Sequence, residues 1–553
     1  MKIGAPHVVW LGIVCAYSVL GLVVLSPEAV YSGDIGVKFV QARSLAAHRF
    51  TSLDLLYPGE FLDPAREFFP IRAPFVIQID GQTQAIFSPA SAVLQAAAVS
   101  AAGLAGMIVI SIAAAAVILW ATARLAEPRL RVPVLVALGA GGPLWFYGIS
   151  GWEHAPAVAL STAAFAVAVS SMRGAPVIAG LLLGAGATVR DEVLLLLPGL
   201  LAMLRYRQGG ARALVIAAGS AALPLAGAAA LEVGWFNRPA AAHLRHAVHL
   251  VQRAAHLTDS PNPEVPALAP MTLRERYEAV VEYWMLGYGE DVWIAVFAGA
   301  LALAISVRWR FRTSVPILLW LVAVLALASR DLVELLRAPK WLAGLHRVSP
   351  YLVLALLPGP ASGRRRSWWP AVAVFTTLTY LFVAFAGVDT SGGKSLGPRL
   401  LLPLFPLLTV GAIMRIDEYL TSTSRVERGV GVAGVTLGLM AITMHLGGTI
   451  PAYYDRNIED MKTLQAVAER PDRIVVADDE FTAQLLFGLY FRKIVLLADV
   501  DRLGEELGTR LAAERIPSAL LVTRWPETAV TLGPYRRERT ERRGRMTIQY
   551  WRR

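Results

Sequence analysis

The chain has 553 residues, 56% of them hydrophobic and only 17% charged, with a formal net charge of +11. Its mean hydropathy is +0.52. Soluble domains carry roughly a quarter charged residues, so this composition excludes an ordinary soluble enzyme and points to an integral membrane protein with many spans. The only cysteine, Cys15, excludes an intrachain disulfide and a zinc site built on several cysteines.

Apolar runs of about 17 to 25 residues can cross a bilayer. In chain order they fall near 8–26, 104–123, 132–148, 155–172, 211–231, 291–307, 313–329, 346–360, 368–387, 399–414 and 430–448. Met1, Lys2 and His7 precede the first run, but no small-x-small cleavage site follows it, so it reads as an uncleaved span. The stretch 175–204 carries Arg190-Asp191-Glu192 at its middle and reads as two short helices meeting at a charged tip. From about Pro451 the composition becomes that of a soluble domain. Short buried strands are expected at 473–477, 493–497 and 518–523, with a last strand near 547–551. The expected fold class is therefore mainly α. A polytopic transmembrane helical bundle of about 11–13 membrane segments covers 1–450, and a small soluble α/β domain covers 451–553.

Short loops orient membrane proteins through Lys and Arg. The clusters Arg124/Arg129/Arg131, Arg205/Arg207/Arg212, Arg308/Arg310/Arg312, Arg364-Arg365-Arg366 and Arg415/Arg425/Arg428 all fall on one face if each run crosses once. That face is expected to be cytoplasmic, with the N-terminus inside. The loops 27–103, 149–154, 232–290, 330–345 and 388–398 then lie on the exoplasmic side with the C-terminal domain.

Polar side chains at the expected outer ends of these spans are the candidates for chemistry. Asp34, in Tyr31-Ser32-Gly33-Asp34, follows the first span and precedes the amphipathic stretch Val37 to Phe50. Held there, it can accept a proton from an attacking hydroxyl, or it can cap a helix beginning at Ile35. Arg190 sits where ionisable groups are expensive and usually face a cavity. Its guanidinium suits a phosphate, or it pairs locally with Asp191 or Glu192. Lys394 and Arg399, in Gly392-Gly393-Lys394-Ser395-Leu396-Gly397-Pro398-Arg399, stand where an outer loop runs into a helix. This is not a P-loop, because Val388 occupies the first glycine position and a membrane segment precedes it. Trp152, Glu153 and His154 form a short outer loop that can bind a sugar or anchor at the headgroup level. His243, His246, His249 and His256 cluster without acidic partners and read as a surface helix, not a metal site.

Taken together, Asp34 after the first span, the charged tip with Arg190 and the late Gly397-Pro398-Arg399-Leu-Leu-Leu-Pro403 resemble the GT-C glycosyltransferases. The likeness is to the bacterial members near the protein O-mannosyltransferase and lipid A aminoarabinose transferase group (glycosyltransferase family 39-like), over roughly residues 1 to 450. The resemblance implies a GT-C-like fold and an inverting transfer from a polyprenyl-phosphate-linked sugar, with the first-loop acid as base. It assigns Asp34 to that base and Arg190, Lys394 and Arg399 to the donor phosphate. Many relatives show two adjacent acids in the first loop, whereas Ile35 follows Asp34 here. The implied partners are the lipid-linked sugar, a glycan, lipid or protein acceptor and membrane lipid, with no nucleic acid. The implied location is the bacterial cytoplasmic (inner) membrane. No cofactor is expected, and the need for a divalent metal is left open. The tail holds no Gly-rich phosphate loop, so no nucleotide binding is assigned to it. A membrane transporter or flippase of a lipid-linked precursor and a non-catalytic envelope assembly protein are the alternative readings.

Overall fold

The computed structural model describes residues 4–72, 75–208, 210–239, 274, 314–338, 342, 344–357, 359–360, 376, 396, 398–524 and 531–553. Over these the chain is mainly helical, with one small sheet near its C-terminus. Six described helices are long and apolar enough to cross a membrane: 5–24, 89–125, 211–234, 315–337, 399–420 and 425–468. Their exposed faces carry side chains such as Val23, Leu223, Leu319 and Leu439, as expected where lipid is the solvent. The chain is an integral membrane protein.

Helix α1 (Ala5–Val19) continues through a wide turn at Leu20–Val24 and ends just before the loop that leads to Asp34. Helix α2 (Gly33–Ala47) follows. Strands β1 (Val76–Ile79) and β2 (Gln82–Ala85) form a hairpin about Asp80-Gly81, where both residues have positive φ. An Asp-Gly pair suits that two-residue turn. Helix α3 (Pro89–Leu125) is broken in direction at Ala102–Gly103, so its inner half matches the expected span 104–123.

Two expected spans are corrected. The run 132–148 is not one helix but α4 (Arg131–Ala140) and α5 (Leu144–Ile149), because Gly141-Gly142-Pro143 ends the first and starts the second. The run 346–360 is a single turn at Leu345–Val348 and a 3₁₀ segment at Pro350–Leu356, too short to cross and almost wholly buried. Helices α6 (His154–Ala168) and α7 (Ala175–Val189) are apolar but short. A 3₁₀ turn at Asp191–Leu196 leads into α8 (Leu197–Gln208), and α9 (Ala211–Gly234) follows. The expected spans 291–307 and 368–387 and the cluster His243, His246, His249 and His256 lie outside the described residues, apart from Thr376.

The tail folds on a five-stranded sheet of order β4-β3-β5-β7-β6. Its strands are β3 (Ile474–Ala477), β4 (Ile494–Leu497), β5 (Ser518–Thr523), β6 (Arg536–Arg543) and β7 (Met546–Arg552). The first three are parallel and apolar but for the Ser518 and Thr523 ends of β5, as sheets covered on both faces require. The last two add antiparallel, with Leu521 opposite Gln549. A helical run from Arg425 through a π turn at His445–Thr449 to Ala468 joins this sheet to the bundle.

Helix α2 lies between bundle and tail. The expected amphipathic stretch proves to be buried nearly all round, with Arg43 and Ala47 its only well-exposed residues. The reason is that α3 covers one side while the segment Glu480–Leu489 of the tail covers the other. Gly33 and Gly36 permit that approach, since a methyl at either would collide with the side chain of Gln484 or Phe487.

Candidate active site

Ser32, not Asp34, is the N-cap of α2. Its carbonyl accepts from the backbone N–H groups of Ile35 and Gly36. The capping alternative for Asp34 therefore fails. The carboxylate stands in the first helical turn, where the helix dipole favours negative charge. Its Oδ2 accepts a hydrogen bond from Arg399 Nη1 at 2.7 Å, across 365 positions of sequence. Both side chains are partly open, at 16% for Asp34 and 22% for Arg399.

One turn further along α2, Lys38 lies on the same face. Its ammonium is 2.9 Å from Glu153 Oε2 and 3.9 Å from the centre of the Phe87 ring. Glu153 also accepts from Arg190 Nη1 at 3.0 Å, and Arg190 Nε donates to Glu192 at 2.8 Å. The charged tip thus does more than pair locally, because its arginine reaches back to the 149–154 loop. Burial lowers the Lys38 pKa below that of an ordinary lysine. Burial alone would raise the Glu153 carboxyl, but the cations of Lys38 and Arg190 outweigh it and hold that carboxyl well below the usual range. Glu153 is therefore the shared partner of Lys38 and Arg190.

The 149–154 loop turns at Gly151, whose φ of +78° a side chain would strain. Beyond it Trp152 stacks on Tyr147, with ring centres 5.6 Å apart, and His154 lies 5.2 Å from Trp152. Trp152 is 1% exposed, so the interfacial-anchor alternative does not describe it. Buried polar atoms normally find partners. Yet Trp152 Nε1 and both ring nitrogens of His154 have no hydrogen-bond partner among the described residues.

The structure thus brings together Asp34, Arg399, Arg190, Trp152, Glu153 and His154. Lys394 lies outside the described residues. Lys38 and Phe87 complete the cluster without having been singled out from the sequence. Lys38 carried a usable signal, four residues after Asp34 on one helix, whereas nothing local marked Phe87. Among the described residues no three His, Cys, Asp or Glu side chains are grouped as metal ligands.

No protein-family model matches the chain, and no characterised protein matches it by sequence. Solved structures do. ArnT from Cupriavidus metallidurans in the apo state aligns over 99% of this chain and 98% of its own, at 12% identity and a TM-score of 0.48. The oligosaccharyltransferase of Archaeoglobus fulgidus in its apo form covers 93% of this chain and 69% of its own, at 10% identity and a TM-score of 0.42. The Archaeoglobus fulgidus oligosaccharyltransferase AglB with an inhibitory peptide and a dolichol-phosphate has the same coverage and identity and a TM-score of 0.41. The chain is similar along nearly its whole length to ArnT, a lipid A aminoarabinose transferase, and to an archaeal oligosaccharyltransferase, at a degree of likeness that gives no residue a role.

Proposed function

We propose that the protein is an integral membrane glycosyltransferase that moves a sugar from a polyprenyl-phosphate donor to an exoplasmic acceptor, inverting the anomeric carbon. The observation that carries this reading is the contact between Asp34 and Arg399 at the ends of membrane helices. A transporter or an assembly scaffold has no need of a base held against a phosphate-binding cation from a distant part of the sequence.

In the proposed step the acceptor hydroxyl oxygen bonds to the anomeric carbon as the bond from that carbon to the phosphate oxygen breaks. The hydroxyl proton passes to Asp34, and polyprenyl phosphate departs with the electron pair. The leaving group is already stable, so the protein supplies alignment, a base and positive charge. A guanidinium has five N–H donors in a fixed fork. Arg399 uses one on Asp34 and can turn others to the phosphate, which couples donor binding to the position of the base. Arg190, held by Glu153 and Glu192, is the second cation, and Lys394 is proposed as a third. Lys38 is a positioning residue through Glu153. Trp152 and His154 offer their unpartnered ring nitrogens to the sugar.

The test is transfer of radiolabelled sugar from polyprenyl-phosphate donors in membranes containing wild type or Asp34→Asn. Label should reach an acceptor only with wild type. Transfer retained in the folded variant would remove Asp34 as base.

A further inference from the structure

A second cleft begins one residue before Asp34. The tail's parallel strands run in the order β4-β3-β5, so the connections leaving β3 and β4 carry the chain to opposite sides of β3. In open α/β sheets such a reversal opens a crevice beyond the carboxyl ends of the strands, and ligands bind there. Here that end carries Asp478 and Asp479 after β3 and Arg524 after β5. It is not open to bulk water on every side, because Tyr31, Ser32 and Gly33 of the first loop close it. These three residues and Arg524 line a cavity of about 80 Å³ together with Arg456, Arg545 and Asp460.

The cavity wall carries three arginines and one carboxylate, Asp460, and Asp479 beside it pairs with Arg524, so the cations exceed the carboxylates they touch by one. The guanidinium groups are held in place from behind. Arg456 donates to the Tyr31 carbonyl at 3.1 Å and lies over its ring at 4.3 Å. Arg545 Nε donates to Asp460 at 3.1 Å. Arg524 donates to Asp479 at 2.8 Å and covers the Phe481 ring. Two further donors in the lining, Arg524 Nε and Ser32 Oγ, are buried with no hydrogen-bond partner among the described residues. Fixed guanidinium forks with spare N–H groups suit an oxyanion, and the cavity has room for one such group with water.

We infer that this crevice is an acceptor subsite that binds an oxyanionic group, phosphate or carboxylate, borne by the acceptor molecule. The inference rests on the glycosyltransferase reading for the word acceptor, but the anion site itself does not. Ser32 and Gly33 belong to both the cavity wall and the start of the helix bearing Asp34. An acceptor anchored there by its charge would hold a neighbouring hydroxyl toward the base.

The experiment uses the full chain in detergent and two probes, inorganic phosphate and acetate, titrated against chloride at matched ionic strength. Binding is read from the thermal unfolding midpoint in an Asp34→Asn background, so that it needs no catalysis. Saturable stabilisation by phosphate or acetate, weakened at least tenfold by Arg524→Gln and restored toward wild type by Arg524→Lys, is the expected result. The stronger probe names the anion. In the otherwise wild-type enzyme, Arg524→Gln should raise the acceptor KM about tenfold and leave the donor KM unchanged. Probe binding that is absent, or identical in the variant, overturns the site even if transfer depends on Asp34. A parallel loss of polyprenyl-phosphate binding in Arg524→Gln would put the donor there instead and overturn the assignment. Absence of Asp34-dependent transfer would fall on the enzyme reading alone, because the binding measurement stands without it.

Discussion

Two arginine-bearing clefts flank the start of α2, and they are built differently. On the bundle side Lys38, Arg190 and Arg399 each have a carboxylate partner in Glu153, Glu192 or Asp34, with Lys38 and Glu153 almost wholly buried. On the tail side Arg456 and Arg545 share Asp460 and Arg524 pairs with Asp479, three cations to two carboxylates, and Arg524 and Arg545 remain 35% and 45% exposed. A charge-balanced, buried cluster holds groups at fixed positions, which is what bond making needs. A cationic, wetter cleft attracts and retains an anion, and its strength falls with salt. On the proposed reading, chemistry belongs to one side of Gly33 and recognition to the other.

The sharpest way to break this division is Asp34→Asn. Removal of a general base should lower the transfer rate by about 10²–10⁴-fold, while probe binding in the tail cleft stays at its wild-type value. Next in size is Glu153→Gln, which strands Lys38 and leaves Arg190 with Glu192 alone. Breaking a buried pair costs about 3–5 kcal/mol, so the unfolding midpoint should fall steeply, and adding Lys38→Met should recover part of the loss. Arg524→Gln, a partly exposed change, should shift stability by no more than about 0.5 kcal/mol. Equal losses in the two variants would end the contrast. Arg399→Ala should weaken donor affinity about tenfold, a change of about 1.4 kcal/mol, and leave acceptor affinity intact.

The smallest effect concerns pH in the tail. Burial pushes the Asp478 carboxyl up to about 6. The folded state then holds its proton more tightly than the unfolded chain, so this contribution is complete below about pH 3.8 and is lost as pH rises through about 6. Wild type should lose stability relative to Asp478→Asn across that window. With the discount for partial exposure, the relative drop in unfolding midpoint should be about 2–4 °C at most. No change in the difference between the two proteins would show that Asp478 does not titrate there.

Much of the site was legible because ionisable groups at the ends of apolar runs are expensive and few. Asp34, Glu153, Arg190 and Arg399 stood out on that ground, and they meet. Lys38 was obscured because it lies within what reads as a half-exposed helix. That helix is buried nearly all round because α3 covers one side and the tail the other. The strands of the tail sheet were legible where apolar, at 474–477, 494–497 and 518–523. Strand β6, with sequence Arg-Arg-Glu-Arg-Thr-Glu-Arg-Arg, was not, since its propensity is poor and it exists as an edge paired to β7. The charges on that edge also discourage pairing with another chain. The misread spans 132–148 and 346–360 share one cause. Hydropathy records how apolar a run is, whereas Gly141-Gly142-Pro143 and Pro350 decide whether it can remain one helix.

The helical run from Arg425 to Ala468 works as a measuring rod. At 1.5 Å per residue its 44 residues span about 66 Å, one end among the apolar helices and the other beneath the tail sheet. Arg456 and Asp460, which line the cationic cleft, are mounted directly on it. The position of that cleft relative to the apolar helices is therefore set by a continuous helical run rather than by a flexible joint. If the cleft holds the acceptor's anionic group as proposed, the acceptor is sorted by reach as well as by charge: the interval to its reacting hydroxyl is the short, fixed one between the cleft wall at Ser32–Gly33 and Asp34.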